Sequence, residues 1–127
     1  MKLRINNNAI RLRLSQTEVD KISKGLPVTE QLFLGSKAMG FAYSLVPDEN
    51  SSTIEATYFD NLLKITVPKS ISSPWATSDE VSMRSTQHAS SDFANLILIE
   101  KDFQCLHKRP DEDESDNFPN PKSFEDY

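Results

Sequence analysis

The chain has 127 residues, 37% of them hydrophobic and 26% charged, with a net charge of −5. That length suits one domain around one core, and the longest apolar run, Leu96-Ile97-Leu98-Ile99, falls far short of the roughly 20 residues of a spanning helix. The lone cysteine, Cys105, cannot form an intramolecular disulfide, and the opening Met1-Lys2-Leu3-Arg4-Ile5-Asn6 has no signal-peptide core, so a soluble, cytoplasmic protein is expected.

The charge is segregated. Residues 1–109 carry 13 Lys/Arg and 12 Asp/Glu, whereas residues 110–127 carry only Lys122 against seven acids. A near-neutral body without a dominant basic patch argues against nucleic acid as the main partner, because neutralising phosphates supplies much of that affinity. Membrane partners are likewise not expected.

In chain order, Leu3 and Ile5, then Ile10, Leu12 and Leu14, alternate with charged residues around Asn6-Asn7-Asn8, which predicts a β-hairpin. Ser15-Gln16-Thr17-Glu18 has capping-box spacing and Gly25 stands at a helix end, which predicts a short helix over about 16–24. Pro27 opens a run of alternating segments: Leu32 and Leu34; Phe41, Tyr43 and Leu45; Ile54, Ala56 and Tyr58; Leu63, Ile65 and Val67. Pro47-Asp48-Glu49-Asn50 and Asp60-Asn61 supply turns. Ser72-Ser73-Pro74-Trp75 fits a helix start with Pro74 at its first position. Val81 to Gln87 predicts a further strand and His88 to Asp92 a polar turn. Leu96 to Leu106 is the strongest strand signal, apolar on both faces in its first half. No fixed-period repeat is apparent. The expected fold is α+β: a mainly antiparallel sheet of six to eight strands, with two short helices. Residues 1–109 form the domain and residues 110–127 an acidic, proline-containing tail.

The closing segment Glu100-Lys101-Asp102-Phe103, Cys105-Leu106, Arg109, Glu112-Asp113-Glu114 and Phe118-Pro119-Asn120-Pro121 resembles the end of a family of small bacterial proteins of unknown function. The Ile-Arg-Leu-Arg-Leu-Ser strand leading into a capped helix, and Val67-Pro68 followed by Trp75, match it too. The resemblance implies bacterial origin and a single domain. It implies no activity, cofactor or catalytic residue.

The candidate sites are therefore surfaces. Strand alternation puts Lys2, Arg4, Arg11 and Arg13 on one face of the opening hairpin. The acids Asp111, Glu112, Asp113, Glu114 and Asp116 of the tail are the candidate counter-charge, with Phe118 as an apolar anchor. These residues favour a non-catalytic module that binds a protein partner or a second copy of itself through the basic face and the tail. The alternative is a small-molecule or catalytic pocket between sheet and helix, lined by Tyr43, Tyr58 and Trp75. No hydrolase, phosphate-loop, dinucleotide or zinc-protease motif occurs. Cys105-x-His107 offers two ligands where structural zinc needs four, and the acidic run has Asp116 where a calcium loop needs glycine. No metal, cofactor or catalytic residue is assigned.

Overall fold

The period-two alternation of the first 14 residues becomes a hairpin of β1 (Lys2–Asn6) and β2 (Ala9–Leu14), closed by Asn7 in the left-handed region at φ 54°. Asparagine tolerates that conformation better than other side chains. Ser15 then caps α1 (Gln16–Ser23) through the full capping box: its hydroxyl accepts from the Glu18 amide, and Glu18 accepts from the Ser15 amide at 2.9 Å. Next come β3 (Val28–Leu34), β4 (Ser36–Asp48), β5 (Glu55–Phe59) and β6 (Leu62–Pro68). Asp60 and Asn61, at φ 52° and 60°, make the two-residue β5–β6 turn, a geometry that matches the twist of the flanking strands. After α2 (Lys69–Ala76), β7 (Ser82–His88) and β8 (Ala94–Lys101) complete the body. The computed structural model describes residues 1–88, 92–105 and 112–121.

Three expectations are corrected. Pro74 sits inside α2, not at its start, because the helix begins at Lys69, five residues before Pro74 and directly after Pro68. The eight strands divide into two four-stranded sheets, ordered β1-β2-β8-β7 and β3-β4-β6-β5, and the central pair of each, β2 with β8 and β4 with β6, runs parallel. The class is α+β and most pairings are antiparallel hairpins, but the sheets are mixed.

The third correction concerns repetition. Each half of the chain is a hairpin, a helix and a hairpin, and exchanging β1 with β5, β2 with β6, β3 with β7 and β4 with β8 converts one sheet order into the other. Ile10 and Leu63, Leu12 and Ile65, Leu14 and Val67, and Ile22 and Trp75 stand 53 positions apart in equivalent places. Each helix leads from a hairpin of one sheet to a hairpin of the other, and α1 packs against α2. The fold is thus a pseudo-twofold assembly of two ββαββ units.

Residues directly opposite on paired strands share a face, so the registers define the interior. Leu12, Leu14, Ile97, Ile99 and Met83 from the first sheet meet Val28, Leu45, Ile65 and Val67 from the second, with Val19, Ile22 and Trp75 of the helices closing one end.

Side chains stitch the two seams between the sheets. On one, the Gln87 amide of β7 donates to the Ala56 carbonyl of β5 at 2.9 Å and accepts from its N–H at 2.6 Å. On the other, the Met1 amino group lies between Glu18 and Glu30, while the Tyr43 hydroxyl donates to the Met1 carbonyl at 2.8 Å. Burial alone raises the Glu18 carboxyl, but its bonds with Met1 and Ser15 outweigh this and hold it below its ordinary value. Burial likewise pulls the Met1 amine down, and Glu18 and Glu30 reverse that, leaving it raised.

A depressed carboxylate contributes stability above its unfolded value of 4.5 and loses it as pH falls through the folded value. A raised amine contributes below 8.0 and loses it as pH climbs through its folded value. Glu18→Gln is therefore expected to cost about 1–2 kcal/mol near neutrality, with the gap from wild type narrowing at both acid and alkaline extremes. Urea midpoints across that range test it, and a gap independent of pH would remove the ionic account of this seam.

A candidate ligand cleft at the hairpin end

The inner-face rows that fill the core do not fill the end opposite the helices. There, one row beyond Leu12 and Ile65, the side chains of Ile10 and Leu63 form the floor of a cleft of about 400 Å³ that opens between the sheets. Ile5 and Tyr58, also 53 positions apart, stand on opposite sides of it, with Phe41, Asn95 and the Asn7-Asn8 turn completing the lining. Two of the lining pairs, Ile10 with Leu63 and Ile5 with Tyr58, are thus equivalent under the pseudo-twofold. Its volume falls in the range of small-molecule sites. No lining residue is charged: polarity comes from Asn7, Asn8, Asn95 and the Tyr58 hydroxyl. Asn95 donates to the Asn8 carbonyl at 3.3 Å, and Tyr58 to the Asn61 side-chain oxygen at 3.4 Å.

Of the lining residues, Ile5 and Tyr58 are exposed. Phe59, 83% exposed, follows Tyr58 on β5 and so stands on the opposite face of that strand, outside the cleft. Beside it, β3 and β4 run on as a two-stranded ribbon: β6 pairs with β4 only from Ala42 onward, so residues 36–41 of β4 have β3 alone as neighbour. Leu32, Phe33, Leu34 and Met39 of the ribbon are all exposed. A smaller cavity of about 250 Å³ lies between the ribbon and the Asp60-Asn61 turn.

The residues singled out in the sequence fall elsewhere. Lys2, Arg4, Arg11 and Arg13 do share the outer face of the first sheet. Arg11 pairs with Glu100 of β8, and Arg13 lies 3.6 Å from the same carboxylate, while Lys2 reaches Asp102 at 2.9 Å and Glu112 at 3.6 Å. Only Lys2 among them meets a tail acid in these ion pairs. Asp116, Glu114 and Phe118 of the tail clasp the body by different means. The Asp116 carbonyl accepts from the Gln16 amide at 2.9 Å and its carboxylate from the Thr17 hydroxyl at 3.1 Å, so an acid sits at the N-terminus of α1, where the helix dipole favours it. Hydrogen bonds from Ser15 and Thr17 hold that carboxyl below its ordinary value.

Glu114 accepts from the Cys105 amide at 2.6 Å, and Asp113 from the Ser115 amide at 2.9 Å. Phe118 exchanges backbone hydrogen bonds with Asp102 and Gln104, packs against the Phe103 ring, and lies under the Lys101 ammonium at 5.7 Å. Asp111 and His107 lie outside the described residues, as do residues 89–91 of the polar turn.

The pocket envisaged around Tyr43, Tyr58 and Trp75 requires correction, because the three do not converge. Trp75 is completely buried and donates its indole N–H to the Val81 carbonyl at 3.1 Å. Tyr43 sits at the Met1 seam, and Tyr58 alone lines the cleft. Sequence reading missed Ile5, Ile10, Phe41, Leu63 and Asn95. The available signal was position: Ile5 and Tyr58 are the last inward residues before polar turns, where interior rows lose the cover of a further layer. Among the described residues, no three His, Cys, Asp or Glu side chains converge to hold a metal ion, and no helix is long and apolar enough to cross a membrane.

The family model for the family of unknown function DUF7009 matches residues 1–122. The chain belongs to that family. The match spans both ββαββ units and the described part of the tail. No match was found among curated proteins or solved structures.

Proposed function

We propose that this member of DUF7009 is a non-catalytic binding protein that takes a neutral, largely apolar small molecule into the cleft between its sheets. The uncharged lining of that cleft is the observation that carries the reading. A charged ligand would lose its hydration there without gaining an ionic partner, whereas an apolar ring or short chain would bury its surface against Ile5, Ile10, Phe41 and Leu63, with Asn95 and Tyr58 left to orient one polar group. The basic face and acidic tail support partner binding less well, since Glu100, Asp102 and Glu112 already balance much of that face and the described tail is engaged on its own chain.

A neutral solvatochromic dye such as Nile red provides the test. Wild type is expected to bind it with blue-shifted emission. Asn95→Phe, which fills the cleft, is expected to weaken binding at least about tenfold, or about 1.4 kcal/mol. Phe59→Ser, outside the cleft, should leave binding nearly unchanged. If filling the cleft does not weaken binding while near-UV circular dichroism shows an intact fold, the cleft is not the site.

A further inference from the structure

A sheet edge presents unpaired backbone N–H and C=O groups that can template another strand, and proteins guard such edges with charge, proline, bulges or cover. The four edges here are guarded unequally. In the first sheet, β1 carries Lys2 and Arg4. The β5 and β7 edges face each other, and Gln87 occupies the backbone groups of Ala56. On β3, the inner half is covered by Glu30 and the Met1 amine. The outer half, Gln31-Leu32-Phe33-Leu34, carries one irregularity, a register shift against β4 between Phe33 and Leu34 near the ribbon tip, but it has no charge, no proline and no covering element among the described residues, and every one of its residues is exposed.

We infer that this outer half of β3 is a self-association edge, pairing antiparallel with the same segment of a second copy to join the two β3-β4-β6-β5 sheets into one eight-stranded sheet. The inference is independent of the ligand cleft. A twofold axis through the segment brings an uncharged strand against its identical counterpart, so no like charges meet across the new ladder. The exposed parts of Leu32, Phe33, Leu34 and Met39 amount to roughly 500 Å², at the upper end of the largest apolar patch usual on a monomer and enough for a small interface of micromolar strength. The charges near this end, Lys37, Asp60 and Asp92, do not form the cationic surface that an anionic lipid headgroup would attract, so a protein strand fits better than a membrane.

The test is sedimentation velocity on the full chain from about 5 to 500 μM, a range that captures micromolar self-association, beside the double variant Phe33→Lys, Leu34→Lys. Both positions are exposed, so the variant is expected to keep the wild-type circular dichroism spectrum. Wild type should sediment as a dimer at the upper concentrations, and the variant should remain a monomer throughout, a loss of affinity of at least about 100-fold. Amide hydrogen exchange over residues 29–34 should slow with concentration in wild type alone. As a second variant, Thr57→Lys on the outer face of β5 should still dimerise. A wild type that stays monomeric throughout, or a dimer indifferent to the paired lysines, overturns the inference.

Discussion

Trp75→Ala is expected to lower stability by about 3–5 kcal/mol, the usual cost of truncating a buried tryptophan. The indole has 0% exposure and lies where α2 packs against both α1 and the strands on either side of it, so little can relax into the space it leaves. Two further partners lose their neighbour. The Val81 carbonyl forfeits the indole N–H at 3.1 Å, and the Lys101 ammonium, 5.5 Å from the ring and bonded to the Ser78 carbonyl at 2.6 Å, loses an aromatic face. Burial already lowers the pKa of Lys101, against the opposing pull of Asp79 and Glu80. Domains of this size hold about 5–15 kcal/mol in all, so the variant should unfold at a much lower urea concentration, as read by far-UV circular dichroism. Trp75→Phe, which restores most of the volume but not the hydrogen bond, should recover more than half of the loss. A Trp75→Ala chain within about 1 kcal/mol of wild type would mean that the helix pair contributes little to the core.

Local chemistry made much of this architecture readable. The Ser15–Glu18 box, the Asn7 and Asp60-Asn61 turns, and the alternation of Leu12 with Leu14 and Ile65 with Val67 depend on neighbours a few residues apart, and each produced the element its pattern predicts. The parallel contacts of β2 with β8 and β4 with β6 join residues far apart in the chain, and alternation specifies a face without specifying a partner. The duplication was hidden for a related reason. Equivalent positions share apolar character and depth but not identity, as Ile22 and Trp75 show, because a core demands volume and hydrophobicity more than particular side chains. The cleft was illegible because the same alternation that buries Leu12 and Ile65 also places Ile10 and Leu63, and only the end of the layer leaves the latter pair open. For the basic face, the outward direction of Arg11 and Arg13 was correct, but the carboxylate that neutralises them comes from β8, across a pairing the sequence did not reveal.

Gly40→Ala is expected to cost about 2–4 kcal/mol, from backbone strain together with a clash that rotamer changes cannot relieve. Gly40 pairs with Phe33 at the base of the ribbon and has a φ of 149°, and a Cβ added there would stand 1.9 Å from the Leu32 carbonyl oxygen and 2.9 Å from its carbon. The opposing atoms are main chain, so β3 and β4 would have to part. Gly35 at the ribbon tip provides the control. Its φ is also positive, at 77°, but an added Cβ meets nothing within 4 Å, so Gly35→Ala should cost only the conformational penalty of about 1 kcal/mol.

The difference between the two variants isolates the clash, and amide exchange separates its local effect from global unfolding. In Gly40→Ala, residues 31–34 should lose protection ahead of the core strands β2, β6 and β8. Phe41, which lines the cleft, and the β3 edge both depend on this ribbon geometry, so the variant should weaken dye binding and dimerisation together, whereas Asn95→Phe should affect only the first and the paired lysines only the second. Equal stability and equal ribbon protection in the two alanine variants would mean that the ribbon shifts freely, leaving β3 too loosely held to act as a strand template.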